Sequence, residues 1–170
     1  VYDFGLIKHP NLDYIGASPD GISELGIMLE IKCPYKRKIS GKIIEQYYDQ
    51  IQGQLEVCNL EECDFLECEF EEYANEEEFI NDYEDKNIKV LTNNLKEKGI
   101  IIEYRENSDD EYQYKYTSLN MNTDEMIKWK DNKLSEFDIT TEFKVNYWKL
   151  RKYNCQRVYR DINFFEKENK

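Results

Sequence analysis

Asp20, Glu30 and Lys32 are the residues whose types and spacing could do chemistry. They lie in the stretch Gly16 to Pro34, which reads GASPDGISELGIMLEIKCP. Glu30 and Lys32 stand two apart in a run of β-formers, Gly26 to Cys33, and residues two apart on a strand share a face. On that reading Leu29 and Ile31 turn the other way, into the core. A carboxylate and an ammonium would each be costly to bury unpaired, so their face reads as the lining of a cleft. Two carboxylates from neighbouring strands can hold a hard divalent ion such as Mg²⁺, which prefers oxygen ligands and keeps several waters. Such an ion polarises a phosphodiester oxygen and generates hydroxide at neutral pH. Lys32 could orient that water or stabilise the charge developing on the phosphorane. The same triplet also fits a solvated strand face with a weak ion pair.

The elements around the triplet must bring Asp20 to it. Tyr14 to Ala17 reads as a short strand, Ser23 to Gly26 as a hairpin connection, and Pro34 as the end of the Glu30 strand. A helix is expected from Ser40 or Gly41 to about Cys58, with Ile44, Tyr47, Tyr48, Ile51, Leu55 and Cys58 on its buried face. Gln46, Gln50 and Gln54 recur every four residues on a second face, either as solvent-exposed helix formers or, for Gln50, turned toward a cleft. Asp64 to Tyr73 alternates, which places Leu66, Cys68 and Phe70 inside and Glu67, Glu69 and Glu71 outside. Strand, helix and strand then form a parallel crossover. Elsewhere, strands are expected at Val1–Lys8, 100–104, 112–116, 143–147 and 155–159. Helices are expected at Glu76–Tyr83 and from an N-cap at Thr123 to about Phe137, and Asp161 is placed to cap a terminal helix. The Tyr112, Tyr114, Tyr116 stripe fits sheet packing better than base stacking.

Ser18-Pro19-Asp20-Gly21 followed by Leu29-Glu30-Ile31-Lys32-Cys33-Pro34 resembles the active-site signature of the lambda exonuclease and YqaJ viral recombinase family, within the PD-(D/E)xK nucleases. Tyr47-x-x-Gln50-x-Gln52 resembles that family's following helix, and 147–161 resembles the close of YqaJ domains from large DNA viruses. The resemblance implies an α/β (α+β) fold with a restriction-endonuclease-like core, a central mixed sheet flanked by helices. It implies a single domain over 1–170 whose catalytic core is about 12–70. It also implies a metal-dependent exonuclease acting on duplex DNA, 5′→3′, in recombination, repair or replication. Asp20, Glu30, Lys32 and Gln50 would be catalytic, with Asp20, Glu30 and the Ile31 carbonyl holding Mg²⁺, or Mn²⁺ in its place. Ser18, Lys36, Arg37, Lys38 and Tyr47 would meet DNA. A single-strand annealing partner protein and a homotrimer are implied by resemblance alone. Family members carry an acid on a helix before the first strand. This chain opens at Val1 with strand-like sequence and so reads as a fragment that lacks that helix. A RecB-like or nicking endonuclease is the alternative enzyme, although Tyr47 preceding Gln50 favours the lambda type. A non-catalytic DNA- or protein-binding module is the alternative outside catalysis.

The length of 170 residues suits one domain, and 40% hydrophobic residues argue against disorder. No apolar run approaches a membrane span and no signal peptide opens the chain, so a soluble protein is expected in a reducing compartment: cytoplasm, nucleus or viral factory. Five cysteines without a close Cys-x₂-Cys pair, and one histidine, His9, read as ordinary thiols rather than a zinc site. With that single histidine in a loop, histidine-based acid–base chemistry has no support. A net charge of −13 runs against the basic surface that nucleic acid needs. Residues 61–85 hold thirteen acids and no base, however, and account for all of it. Segments 31–44 and 144–160 hold five and six basic residues and no acid, so both are candidate DNA-facing segments.

Overall fold

The computed structural model describes residues 1–35 and 38–164. In chain order these form β1 (Ile7–Lys8), β2 (Gly16–Ala17), β3 (Gly21–Ile22), β4 (Met28–Lys32), α1 (Glu45–Cys58), β5 (Glu62–Glu72), α2 (Glu76–Asn81), β6 (Lys98–Arg105), β7 (Gln113–Tyr116), α3 (Thr123–Ser135) and β8 (Glu142–Tyr159). This is a mixed α/β fold. Two compact units divide it, one made of Val1–Glu69 with the segment from Lys152 onward, the other of Phe70–Arg151. Strands β5 and β8 each pass from one unit into the other.

The first unit carries the motif. β3 and β4 form an antiparallel hairpin in which Gly21 faces Leu29 and Ile22 faces Met28. Its turn closes through Gly26 N–H to the Ser23 carbonyl (3.0 Å) and Ile27 N–H to the Ser23 hydroxyl (3.1 Å). Gly26 has φ +74°, a conformation that favours a residue without Cβ. β4 then pairs in parallel with β5, Glu30 beside Phe65 and Lys32 beside Glu67, with α1 as the crossover between them.

α1 begins at Glu45, later than Ser40 or Gly41. Gly41 has φ +78° and the Ser40 hydroxyl accepts the Lys42 N–H, so these residues build a turn. The helix ends at Asn59, which is left-handed (φ 51°), as a C-cap commonly is.

Ile51 and Leu55 on α1 pack with Met28 of β4, Cys63 and Phe65 of β5, and Val158 of β8 in one buried cluster. This reverses the expected parity of both strands. The covered face of β4 is Met28 and Glu30, while Ile31 is 37% exposed. On β5 the buried set is Cys63, Phe65 and Glu67, and Phe70 is exposed. Helix α1 covers the face that carries the charged pair, so the apolar residues of the opposite face stay half open.

Gln52, expected only as part of a motif, is structural. Its amide donates to the Tyr159 carbonyl (2.9 Å), and its side-chain carbonyl accepts the Asp161 N–H (2.8 Å). The segments 143–147 and 155–159 belong to one eighteen-residue strand, β8.

In the second unit β6 lies between β7 and β8, antiparallel to both. Tyr73, Phe79, Ile100 and Met126 form its core. α3 is capped by Asn122 in a reciprocal capping box with Glu125, one residue before the expected Thr123. The tyrosine stripe lies open to solvent, with Tyr114 and Tyr116 stacked at 6.5 Å, which corrects the packed reading.

Lys98 is 1% exposed, and its ammonium donates to the Phe79 carbonyl (2.9 Å) and the Asp82 carbonyl near the end of α2. Burial pulls its pKa down to about 8 against the opposing pull of Asp82 and Glu84. Between that value and the unfolded value of about 10.4 the unfolded chain binds more protons, so this group adds stability as pH rises through that window. Below about 8 its penalty is constant. Measured in urea, wild type should gain up to about 2 kcal/mol relative to Lys98→Met between pH 7.5 and 9.5. A difference that stays flat with pH would reject the assignment. The variant comparison also removes the opposite trend from Cys63, whose thiol is held up at about 12 chiefly by burial.

Candidate active site

The first unit brings Asp20, Glu30, Lys32 and Gln50 together. The β3–β4 register, continued one step past Gly21, sets Asp20 opposite Glu30. Directly opposed residues of an antiparallel pair share a face, with Cβ atoms about 5 Å apart. Asp20 is exposed and its Oδ2 accepts the Ile31 N–H at 2.6 Å, which ties it to the middle of β4.

Glu30 is 2% exposed, and each of its oxygens is satisfied. Oε1 pairs with the Lys32 ammonium and accepts the Gln50 amide at 2.8 Å. Oε2 accepts the Gln54 amide at 3.0 Å. Gln50 and Gln54 reach it from one face of α1, one turn apart. A buried carboxylate requires such compensation, since an isolated one is prohibitively costly. Lys32 lies 5.3 Å from the centroid of the Tyr47 ring, which in turn contacts Phe65 at 5.7 Å.

Two further polar residues belong to this face. Gln54, expected only as a helix former, is a direct partner of Glu30; its four-residue spacing from Gln50 was the available signal. Glu67, placed outside by strand alternation, is fully buried beside Lys32. A third carboxylate therefore stands next to the triplet within this chain.

Of the residues expected at DNA, Ser18 is exposed and lines a cleft of about 700 Å³ with Gln50, Gln54, Asp49, His9 and Ile15. Lys38 is exposed, and Lys36 and Arg37 lie outside the described residues. In the basic 144–160 segment, Lys149, Arg157 and Arg160 are paired with acids within the chain. Arg157 binds Asp64 (2.6 Å) and Glu62, Arg160 binds Glu61 (3.3 Å) and Glu56, and Lys152 donates to the Ile39 carbonyl (2.9 Å). In the second unit Lys149 lies 3.6 Å from Asp82.

The donors at Asp20 and Glu30 are all oxygen, which suits a hard cation. No cluster of three or more His, Cys, Asp or Glu poised as a metal cage occurs among the described residues. The fit is therefore to an ion that keeps most of its waters. Lys32 already supplies positive charge to Glu30, and the buried Gln54 Oε1 has no hydrogen-bond partner among the described residues. The orphaned Gln54 carbonyl fits a site that favours a cation, whereas the Lys32 ammonium offsets part of the negative charge of Glu30. The cysteines at this end remain protonated: burial, then Glu30 and Asp64, raises Cys63, and burial followed by Asp20 raises Cys33. All five cysteines are free.

Residues 1–61 match the family model of the YqaJ-like viral recombinase domain. An uncharacterized protein of Acanthamoeba polyphaga mimivirus is 30% identical, over 99% of this chain and 37% of its own length. An alkaline exonuclease (LHK-Exo) from Laribacter hongkongensis is 22% identical, with a TM-score of 0.39, over 81% of this chain and 54% of that one. A structure of LHK-Exo in complex with dAMP gives 24% identity and a TM-score of 0.37 over the same shares. The chain thus spans about two fifths of the mimivirus protein and about half of the solved exonuclease chains. The matched residues include Asp20, Glu30, Lys32 and Gln50, so over 1–61 the chain is similar to the YqaJ-like viral recombinase domain that its motifs resemble.

Proposed function

We propose that this chain forms the catalytic core of a metal-dependent DNA nuclease of the exonuclease type. The observation that carries it is the buried Glu30 carboxylate, clamped by Lys32 and Gln50, with Asp20 just before the adjoining strand and bonded to the Ile31 N–H. Asp20, Glu30 and the Ile31 carbonyl would hold Mg²⁺ or Mn²⁺. A cation there supplies Lewis acidity toward a phosphodiester oxygen and lowers the pKa of a bound water. Lys32 orients the attacking water and balances charge on the phosphorane oxygens. Gln50 fixes Glu30 without adding charge, since an amide donates while remaining neutral. Duplex DNA is the proposed substrate, digested 5′→3′ in recombination, repair or replication.

The test compares linear duplex with covalently closed circular DNA, each with Mg²⁺ or EDTA, using strands labelled at either end. The expected result is Mg²⁺-dependent loss of linear duplex from its 5′ ends with the closed circle spared. Cleavage of the closed circle would make the enzyme an endonuclease. Absence of Mg²⁺-dependent cleavage of both substrates would overturn the nuclease reading.

A further inference from the structure

We infer that Gln54 is a positioning residue for Glu30, fixing the carboxylate in one orientation toward a hard cation; this rests on the metal-dependent reading above. Lys32 and Gln50 both act on Oε1. With those contacts alone, the carboxylate could still pivot about that oxygen, because the terminal torsion of a glutamate is broad. Gln54 removes this freedom by donating to Oε2 at 3.0 Å. Its side chain is more than nine-tenths buried, at 6% exposure, and its own carbonyl has no hydrogen-bond partner among the described residues. An amide buried at the expense of half its hydrogen bonding is held there by its bond to Glu30.

The bond fits the helix that carries it. Ile51 and Leu55, the immediate neighbours of Gln50 and Gln54, are fully buried in the core and fix the rotation of α1. The two amides therefore arrive at Glu30 in a set order, Gln50 on one oxygen and Gln54 on the other.

The experiment titrates Mn²⁺ into the full chain without DNA by calorimetry, for wild type, Gln54→Met, Gln54→Asn and Glu30→Gln. Methionine keeps the length and loses the donor; asparagine keeps the amide but withdraws it by one methylene. The expected result is about 10- to 100-fold weaker Mn²⁺ binding by both Gln54 variants, the usual effect of losing an outer-shell partner. In cleavage assays the KM for Mn²⁺ should rise by more than kcat falls. Should Gln54→Met fail to fold, Gln54→Asn decides the matter. Binding within twofold of wild type by the folded variants overturns the inference and leaves the metal reading intact. A wild type that binds no Mn²⁺, or a Glu30→Gln chain that binds it unchanged, overturns the metal reading and this inference together.

Discussion

Lys32→Ala is expected to slow duplex cleavage at saturating Mg²⁺ by at least about a hundredfold, or roughly 3 kcal/mol of transition-state stabilisation. The side chain has two tasks in the proposed site. It gives the 2%-exposed Glu30 its cationic partner, and it places a positive charge next to the carboxylate pair. Loss of the first would disturb the carboxylate, and loss of the second would leave the water and the phosphorane unassisted. Lys32→Arg should not restore the rate, because a planar guanidinium cannot reproduce a compact ammonium in this position. Circular dichroism would establish that the variants fold. A Lys32→Ala chain that cleaves within threefold of wild type would remove Lys32 from the mechanism.

The second large effect concerns stability. Phe65→Ala should cost about 3–5 kcal/mol in urea denaturation, the usual range for a fully buried phenylalanine. Phe65 is inaccessible and meets both the helix α1 cluster and the Tyr47 ring. Ile31→Ala, on the opposite face of the neighbouring strand, should cost only about 1 kcal/mol or less, because that side chain is already 37% exposed. Equal losses at the two positions would contradict the strand parity described above, and with it the direction in which Glu30 points.

That parity was the part of the fold least legible in the sequence. Alternation works when one face of a strand is polar. On β5, Cys63 and Phe65 compete with Leu66 and Cys68, and on β4 Met28 competes with Leu29 and Ile31. Both faces are apolar, so period two does not choose between them. Glu67 settled the wrong choice, since a carboxylate ordinarily marks the wet face, yet here it is buried beside Lys32. The same reasoning hid Gln54, which any helix could carry to solvent.

Other features were plain. Gly26 and the serine before it announced the hairpin, and its register brought Asp20 opposite Glu30. β8 was divided into two strands because Lys149-Leu150-Arg151-Lys152-Tyr153-Asn154 lacks apolar alternation. In the structure its ends belong to different units, each supplying its own partners. The basic charges of that segment suggested a DNA face. Sequence could not show that Glu56, Glu61, Glu62 and Asp64, far away in the chain, would engage Arg157 and Arg160.

The bond pair between Gln52 and the Tyr159–Asp161 backbone has a consequence for the order of events during synthesis. Helix α1 presents Gln50 and Gln54 to Glu30 on one side and Gln52 to the end of β8 on another. The strand, helix and strand that carry the motif are complete by residue 72, but the helix is fully seated only when residues 158–161 arrive. A chain still emerging from the ribosome thus holds its acidic residues and lysine long before their geometry is final. The final geometry of the proposed site is then acquired with β8 rather than with the motif itself.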